Sequence, residues 1–245
     1  MTTAAAYIRE HFRFTLVPTL FTVPALILLI GLGTWQVQRL HWKTALIAER
    51  RAGFSAPAVA LPGTLAEAQS LEYRHVTVRG TFDHTKELHI AAEDENGTRG
   101  WQIVTPLTLA DGHILLVNRG FVPEWMEASA SRAAGQIAGE VEVDGILRIE
   151  HKPTGWIIPA NQPKQNFWLF VDVPQMTEAD GLDPARVLPF FVEAGSTPNP
   201  GGLPIGGQTR INLPNDHLQY AITWYSFAVA LTVIYLVYHY RKPEP

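Results

Sequence analysis

Cysteine is absent from the 245 residues of the chain, and charged residues are scarce. Without cysteine, the chain can form no disulfide framework, iron–sulfur cluster, thiolate nucleophile or Cys-ligated zinc site. Charged residues make up 17% of the sequence and hydrophobic residues 47%, against about 25% charged in ordinary soluble domains. The formal net charge of -4 gives no reason to expect nucleic-acid binding, which requires a basic patch. This composition is typical of a chain with membrane-spanning segments.

Catalytic signatures are also lacking. The sequence contains no G-x-S-x-G, no glycine-rich phosphate loop, no H-E-x-x-H and no kinase signature. An enzymatic function stays an alternative, but no catalytic constellation in the sequence supports it.

Two long uncharged runs lie near the ends of the chain. The first starts at Phe14 and meets no charge before Arg39; the second, from Leu218 to Tyr240, has no Asp, Glu, Lys or Arg. Each has the length of about 20 residues that a bilayer requires. The first run is longer than a signal-peptide core and has no cleavage site after it. We therefore predict membrane helices at residues 14–38 and 217–240.

The segments outside these spans differ in composition. Residues 1–13 form a basic N-terminal tail, and residues 241–245, which include Arg241 and Lys242, form a C-terminal tail. Residues 39–63 are predicted to be a helical extension and connector, and residues 64–216 a β-rich extramembrane domain. The basic tails favour both termini in the cytoplasm, although Arg39 and Lys43 follow the first span and compete with that bias.

The central region changes to a period of two, as in Val76 and Val78 alternating with Thr77 and Arg79. Strand-like segments follow one another, with hairpin signals at Asn96–Gly97 and Asp111–Gly112: YRHVTVRGTFD, KELHIAA, GWQIVTPLTL, HILLVNRGF, VEVDGILR, PFFVEAG and QTRINL. Short helical pieces are expected in LPGTLAEAQSLEY and in EWMEASASRAAGQIAG. The predicted fold class is membrane α+β, with two transmembrane helices flanking an antiparallel β-rich domain that forms a curled sheet or small barrel.

Candidate site residues in the central region are few. His84, His89 and Glu93 are metal-ligating types that lie close in sequence, but a turn separates the two histidines, and charges at a hairpin tip are ordinarily solvated. Arg119 suits bidentate binding of a carboxylate, but a structural salt bridge explains it better.

His217 stands at the entrance of the second span. Helical spacing places six further residues on its face, and these offer aromatic, small and aliphatic surfaces in turn: Tyr220, Ala221, Trp224, Ala228, Leu231 and Tyr235. Such a face suits a large flat ligand such as haem, with the histidine as iron ligand. The alternative is an interfacial histidine beside an aromatic belt. In the first span, Gly31 and Gly33 either permit close helix approach or only reduce side-chain volume.

An ordered set of segments makes the chain resemble the Surfeit locus protein family, the membrane assembly factors of cytochrome c oxidase. The segments are GTWQVQRLHWK, YRHVTVRGTF, GWQIVTPL, ILLVNRGFVP, GEVEVDGILR, NQPKQNFWLFVD and NDHLQYAITWYSFA. The resemblance implies a non-catalytic chaperone in respiratory chain biogenesis, in a bacterial inner (plasma) membrane with the central domain periplasmic. The implied partners are membrane lipid, oxidase subunit I and haem a synthesis proteins.

The resemblance also bears on the site. Bacterial members are proposed to bind haem a and pass it on, and His217 stands at the position of their proposed ligand in the second span. It implies transient haem a binding at His217, Tyr220 and Trp224, with His217 as the iron ligand. By charge and depth, Arg39, Lys43 and Arg210 are candidate partners of the haem propionates. The alternative that stays open is a haem-free membrane scaffold that stabilises an oxidase assembly intermediate.

Overall fold

A computed structural model describes residues 12–153, 159–209 and 213–240. The described residues form four α-helices: α1 (Leu16–Ser55), α2 (Leu65–Ser70), α3 (Val173–Ala179) and α4 (His217–His239). They also form seven strands: β1 (His75–Phe82), β2 (Leu88–Glu93), β3 (Arg99–Leu109), β4 (Ile114–Pro123), β5 (Glu140–Arg148), β6 (Phe167–Trp168) and β7 (Val187–Ala194). Contacts divide the chain into a helical unit, Met1–Ala48 with Asn212–Pro245, and a β-rich unit, Glu49–Ile211.

The β-rich unit is a small closed barrel. Its strand order is β1-β5-β7-β4-β3-β2-β6, and β1 also pairs with β3, so five strands close on themselves while β2 and β6 extend outward from β3. The predicted β-rich fold, with a sheet that curls into a small barrel, is confirmed. The prediction of an antiparallel sheet holds for most strand pairs, but β4 with β7 and β2 with β6 are parallel.

Two glycines let the barrel strands turn from one neighbour to the next. At Gly80, β1 passes from β5 to β3, and a Cβ there would collide with the backbone carbonyl of Thr108. At Gly145, β5 passes from β1 to β7, and a Cβ would meet the backbone carbonyl of Glu193. Gly145 is therefore a point of close approach between two strand backbones.

The barrel encloses one apolar core and packs a second one against its outside. The first core takes residues from all five barrel strands and is covered by Ala68 of α2. The second lies between β2, β3, β4 and α3 and includes Trp168 and Met176. Strand β4 contributes Leu115 and Val117 to the first core and Leu116 to the second. Burial on both faces explains why β4 reads as a nearly continuous apolar run instead of an alternating one.

Several short elements differ from the sequence prediction. The segment EWMEASASRAAGQIAG was expected to form one helix, but it forms two 3-10 segments, Glu124–Met126 and Ser129–Gly135. Strand β6 and helix α3 were not predicted, because two and seven residues are too few to show a periodic pattern. In the expected strand QTRINL, Gln208 and Thr209 are not in a strand, and residues 210–212 lie outside the described residues. The helical turn expected in LPGTLAEAQSLEY is confirmed as α2.

The helical unit is an antiparallel pair, α1 with α4, and both helices are long and apolar enough to cross a membrane. Polar side chains join the pair along its length, and the partner numbers fall along α4 as they rise along α1. The contacts include Thr15, directly before α1, with His239 (2.6 Å), Thr19 with Tyr235 (2.7 Å), Thr34 with Tyr225 (3.1 Å) and Gln36 with His217 (2.6 Å). The outward sides carry exposed large apolar side chains, among them Leu20, Ile27, Val229 and Ile234.

Gly33 marks the close approach of the two helices. A Cβ on Gly33 would lie 2.8 Å from a ring carbon of Tyr225, whereas a Cβ on Gly31 would meet nothing within 4 Å. Gly33 therefore fits the interpretation of a helix contact, and Gly31 fits the interpretation of low side-chain volume.

We expect Gly33→Leu to force α1 and α4 apart, because the new side chain needs the space that the Tyr225 ring occupies. Gly31→Leu is the matched control, since it adds the same side chain two residues earlier into open space. The chain has no native cysteine, so spin labels on Leu28→Cys and Val229→Cys are unique. A longer or broader label distance in the Gly33 variant alone confirms the contact; equal distances in both variants contradict it.

Candidate functional site

His217 begins α4 and is bound to α1 through one of its two ring nitrogens. Its Nδ1 lies 2.6 Å from Oε1 of Gln36. An amide oxygen only accepts hydrogen bonds, so Nδ1 carries the proton, and in the neutral imidazole the lone pair is then on Nε2. Among the described residues, no polar group lies within hydrogen-bond distance of Nε2. The Trp35 ring stands edge-on to the imidazole, with ring centroids 6.5 Å apart.

The predicted face of α4 has a buried part, formed by small residues, and a more exposed part, formed by aromatic residues. Ala221 and Ala228 are buried, at 2% and 6% exposure, so the small residues of the face lie against α1. Tyr220 is 55% exposed and Trp224 is half-buried. At 3.6 residues per turn, Trp224 and Tyr220 lie about 20° and 60° to one side of His217, and Ala221 lies to the other. His217, Trp224 and Tyr220 thus share an open flank of the helix pair.

His239 occupies the opposite end of α4 and differs from His217 in its bonding. His239 is 1% exposed and stacks on Phe12. Its Nδ1 donates to the Tyr235 carbonyl at 2.8 Å, and its Nε2 lies 2.6 Å from the Thr15 hydroxyl. Both ring nitrogens of His239 are therefore engaged, so it has no nitrogen left for a ligand.

The spacing of these contacts matches a bilayer. The partners of the two histidines, Thr15 directly before α1 and Gln36 within it, are 21 residues apart. That separation corresponds to about 32 Å of helix, and the hydrocarbon core of a bilayer is about 30 Å thick. With α1 and α4 in a membrane, His217 and His239 lie near opposite boundaries.

Gln36 and Trp35 are site residues that no pattern in the sequence singles out. Gln36 is an uncharged polar residue inside the predicted first span, which could have marked it as needing a partner. Of the candidate cations, Arg39 lies over the ring of Trp42, 4.4 Å from its centroid, and Lys43 is half-buried. Arg210 lies outside the described residues.

The histidines near the β2 strand do not form a metal site. His84 Nε2 lies 3.0 Å from the Ile137 carbonyl, and His89 Nδ1 lies 3.3 Å from Glu127. Glu93 is exposed at the hairpin end of β2. Within residues 12–153, 159–209 and 213–240, no group of three or more His, Asp and Glu side chains is placed to hold a metal ion.

Arg119 belongs to a buried ionic cluster, as its interpretation as a structural salt bridge predicts. Glu87 accepts two hydrogen bonds from Arg132 (3.1 and 2.5 Å) and one from Gln136 (3.0 Å), and Arg119 lies 3.6 Å from the same carboxylate. Arg119 also donates to the Gly135 carbonyl at 2.5 Å. With 2% of its surface exposed, Arg119 has no access to an external carboxylate.

Burial and neighbouring charges shift the pKa values in this cluster. Burial lowers the pKa of Arg119 to about 10, although the Glu87 charge opposes the shift. Burial by itself would raise the pKa of Glu87, but the hydrogen bonds from Arg132 and Gln136 and the charges of Arg132 and Arg119 hold that pKa below its ordinary value. The cluster therefore keeps one carboxylate ionised between two buried guanidinium groups.

The family model described as SURF1 family matches residues 23–229 of the chain. Surfeit locus protein 1 of Mus musculus is 39% identical over 229 residues, which is 86% of this chain and 72% of that protein. Surfeit locus protein 1 of Homo sapiens is 40% identical over 221 residues (84% and 72%), and a SURF1-like protein of Monosiga brevicollis is 41% identical over 236 residues (91% and 87%).

We expect Glu87→Gln to destabilise the protein by about 3–5 kcal/mol, because it leaves two buried guanidinium groups without a counter-charge. Glu142→Gln is the control, since Glu142 forms an exposed pair with Arg79 and its loss should change stability little. Chemical unfolding of the detergent-solubilised protein, followed by tryptophan fluorescence, measures both.

The pH dependence of this difference provides a second check. The folded pKa of Glu87 lies below its ordinary value of 4.5, so its stabilising contribution is present above pH 4.5 and is lost as pH falls through the folded pKa. The difference between wild type and Glu87→Gln should therefore be constant near neutral pH and shrink in acid. A difference that grows in acid would contradict the assignment.

Proposed function

The chain belongs to the SURF1 family, and on this premise we propose that it is an assembly factor for cytochrome c oxidase that binds haem a through His217 and assists its insertion into subunit I. In this proposal the protein catalyses no reaction. It holds the cargo transiently and presents it to its partner.

The observation that carries the haem proposal is the difference between the two histidines of α4. His239 has both nitrogens engaged, whereas His217 has Nδ1 bound to Gln36 and Nε2 without a polar partner among the described residues. A neutral imidazole with one free nitrogen at a membrane boundary is suited to ligate haem iron.

The surroundings of His217 also fit haem. Trp224 and Tyr220 offer an aromatic flank for the porphyrin ring, and exposed aliphatic side chains farther along α4 offer a surface for an isoprenoid tail. Arg39 and Lys43 follow Gln36 on α1, so they lie on the aqueous side, where they can pair with propionates.

Weak retention follows from a single protein ligand. Among the described residues, no second histidine contacts the His217 imidazole; its ring neighbour is Trp35. One axial ligand leaves the other side of the iron open to a ligand from the receiving protein, which suits a factor that must release its cargo.

For the location, we propose a bacterial plasma membrane with both termini cytoplasmic and the β-rich unit periplasmic. Subunit I, haem a synthesis proteins and lipid are the proposed neighbours. A single Asn96→Cys substitution tests the orientation, because a membrane-impermeant thiol reagent added to intact spheroplasts should label it. Labelling only after the membrane is opened would reverse the orientation.

A haem-free scaffold is the alternative, and the Gln36–His217 hydrogen bond also supports it. That bond joins α1 to α4 whether or not haem is present. In this alternative the helix pair and the barrel stabilise an oxidase intermediate by contact only.

We expect wild-type protein, purified in detergent from cells that make haem a, to show a Soret band that His217→Ala abolishes. His113→Ala is the control, because His113 is exposed on the β-rich unit. An unchanged band in His217→Ala would remove His217 as ligand. Wild-type protein without haem under loading conditions would favour the scaffold.

We expect cells that lack the protein to have reduced cytochrome c oxidase activity and reduced haem a in their membranes. Expression of wild type should restore both, and spectra with oxygen-uptake rates measure them. Normal oxidase assembly in the deletion strain would overturn the assembly role.

A further inference from the structure

We infer that Gln36 is a positioning residue that fixes His217 in the Nδ1–H tautomer and thereby directs the Nε2 lone pair to a ligand. The tautomer assignment follows from the helix pair alone, whereas its use as an iron ligand rests on the function proposed above. Gln36 itself need not touch the cargo.

The chemistry of the pair makes the assignment specific. A neutral imidazole carries its proton on either nitrogen, and the hydrogen bond of one nitrogen decides which. Gln36 places an acceptor oxygen 2.6 Å from Nδ1, which only the Nδ1–H form can use. The other tautomer would require the Gln36 amide to turn over and present its NH2 group to Nδ1 in place of Oε1.

The fold holds Gln36 in place from both sides. Gln36 follows Gly33 by three residues, so both lie on one side of α1, and Gly33 allows the Tyr225 ring to approach the α1 backbone. Of the two residues between Gly33 and Gln36, Thr34 is hydrogen-bonded to the Tyr225 hydroxyl at 3.1 Å, and Trp35 packs edge-on against the His217 imidazole. These contacts fix the separation and register of the two helices within one turn of Gln36 on α1. Contacts other than the Gln36–His217 hydrogen bond therefore determine the geometry of that bond.

A bound partner at Nδ1 also tunes a metal-ligating histidine. Such partners orient the ring and raise its basicity, and their loss typically weakens metal binding about 10–100-fold. A carboxylate at position 36 would accept the same hydrogen bond more strongly than an amide does. Gln36→Leu and Gln36→Glu therefore change the acceptor in opposite directions with little change in side-chain length.

The first test needs no haem. Haem-free protein is labelled with ¹⁵N-histidine in lipid nanodiscs, and His217→Ala assigns the His217 signals by difference. We expect a protonated Nδ1 and an unprotonated Nε2 in wild type, and a shift toward the Nε2–H form in Gln36→Leu. Thr19→Val is the matched control, since it removes a cross-helix bond to Tyr235 at the opposite end of the helix pair. An unchanged tautomer in Gln36→Leu overturns the inference.

The second test uses haem titration and the reduction potential of the bound haem. We expect about 10–100-fold weaker binding in Gln36→Leu. In Gln36→Glu we expect retained affinity and a lowered potential, and in Thr19→Val values close to wild type. Equal affinities and potentials in all variants would refute the positioning role while leaving haem binding intact. No haem binding by wild type would instead refute the proposed function, and the tautomer measurement would still decide the inference.

Discussion

The helix pair depends on polar side chains that must find partners inside an apolar seam. Between membrane helices the surrounding lipid is as apolar as leucine, so burial of apolar surface does little to choose one arrangement over another. One interhelical hydrogen bond contributes only about 0.6 kcal/mol on average. Several such bonds, together with the close contact at Gly33, are nevertheless all satisfied in one register and one rotation of α1 against α4. That register decides which atoms of His217 are engaged and which are free.

The β-rich unit is stabilised differently, because its sheet closes on itself. Closure through the β1–β3 pairing removes the free edges of the five barrel strands. The Glu87 cluster joins the residue before β2, strand β4 and the 3-10 segment Ser129–Gly135 through buried charges. Arg119, which the sequence marks as a candidate for binding an external carboxylate, is buried in this cluster and paired with Glu87 and the Gly135 carbonyl. The barrel thus shows that a basic residue at a strand end need not be a binding site.

Local features of the sequence were enough for most of the fold. Alternation in β1 and the turns at Asn96–Gly97 and Asp111–Gly112 depend on neighbouring residues, so the hairpins were predictable. The parallel pairing of β4 with β7 and the closure of β1 on β3 join distant segments, and no local pattern encodes them. Helix α3 and strand β6 are too short to show a period. For the site, helical spacing grouped Ala221, Ala228 and Trp224, but it did not show that the alanines face α1.

By itself, the sequence determined the two apolar helices, the β-rich region between them and His217 as the residue of interest, because each follows from composition, local period or an ordered resemblance. Only the tertiary structure decided that Gln36 is the partner of His217 and that His239, on the same helix, is fully engaged. The reason is that a hydrogen bond between residues 181 positions apart depends on where two helices meet. Gly33 and Tyr225 set that meeting point, and neither residue reveals the other in a linear pattern.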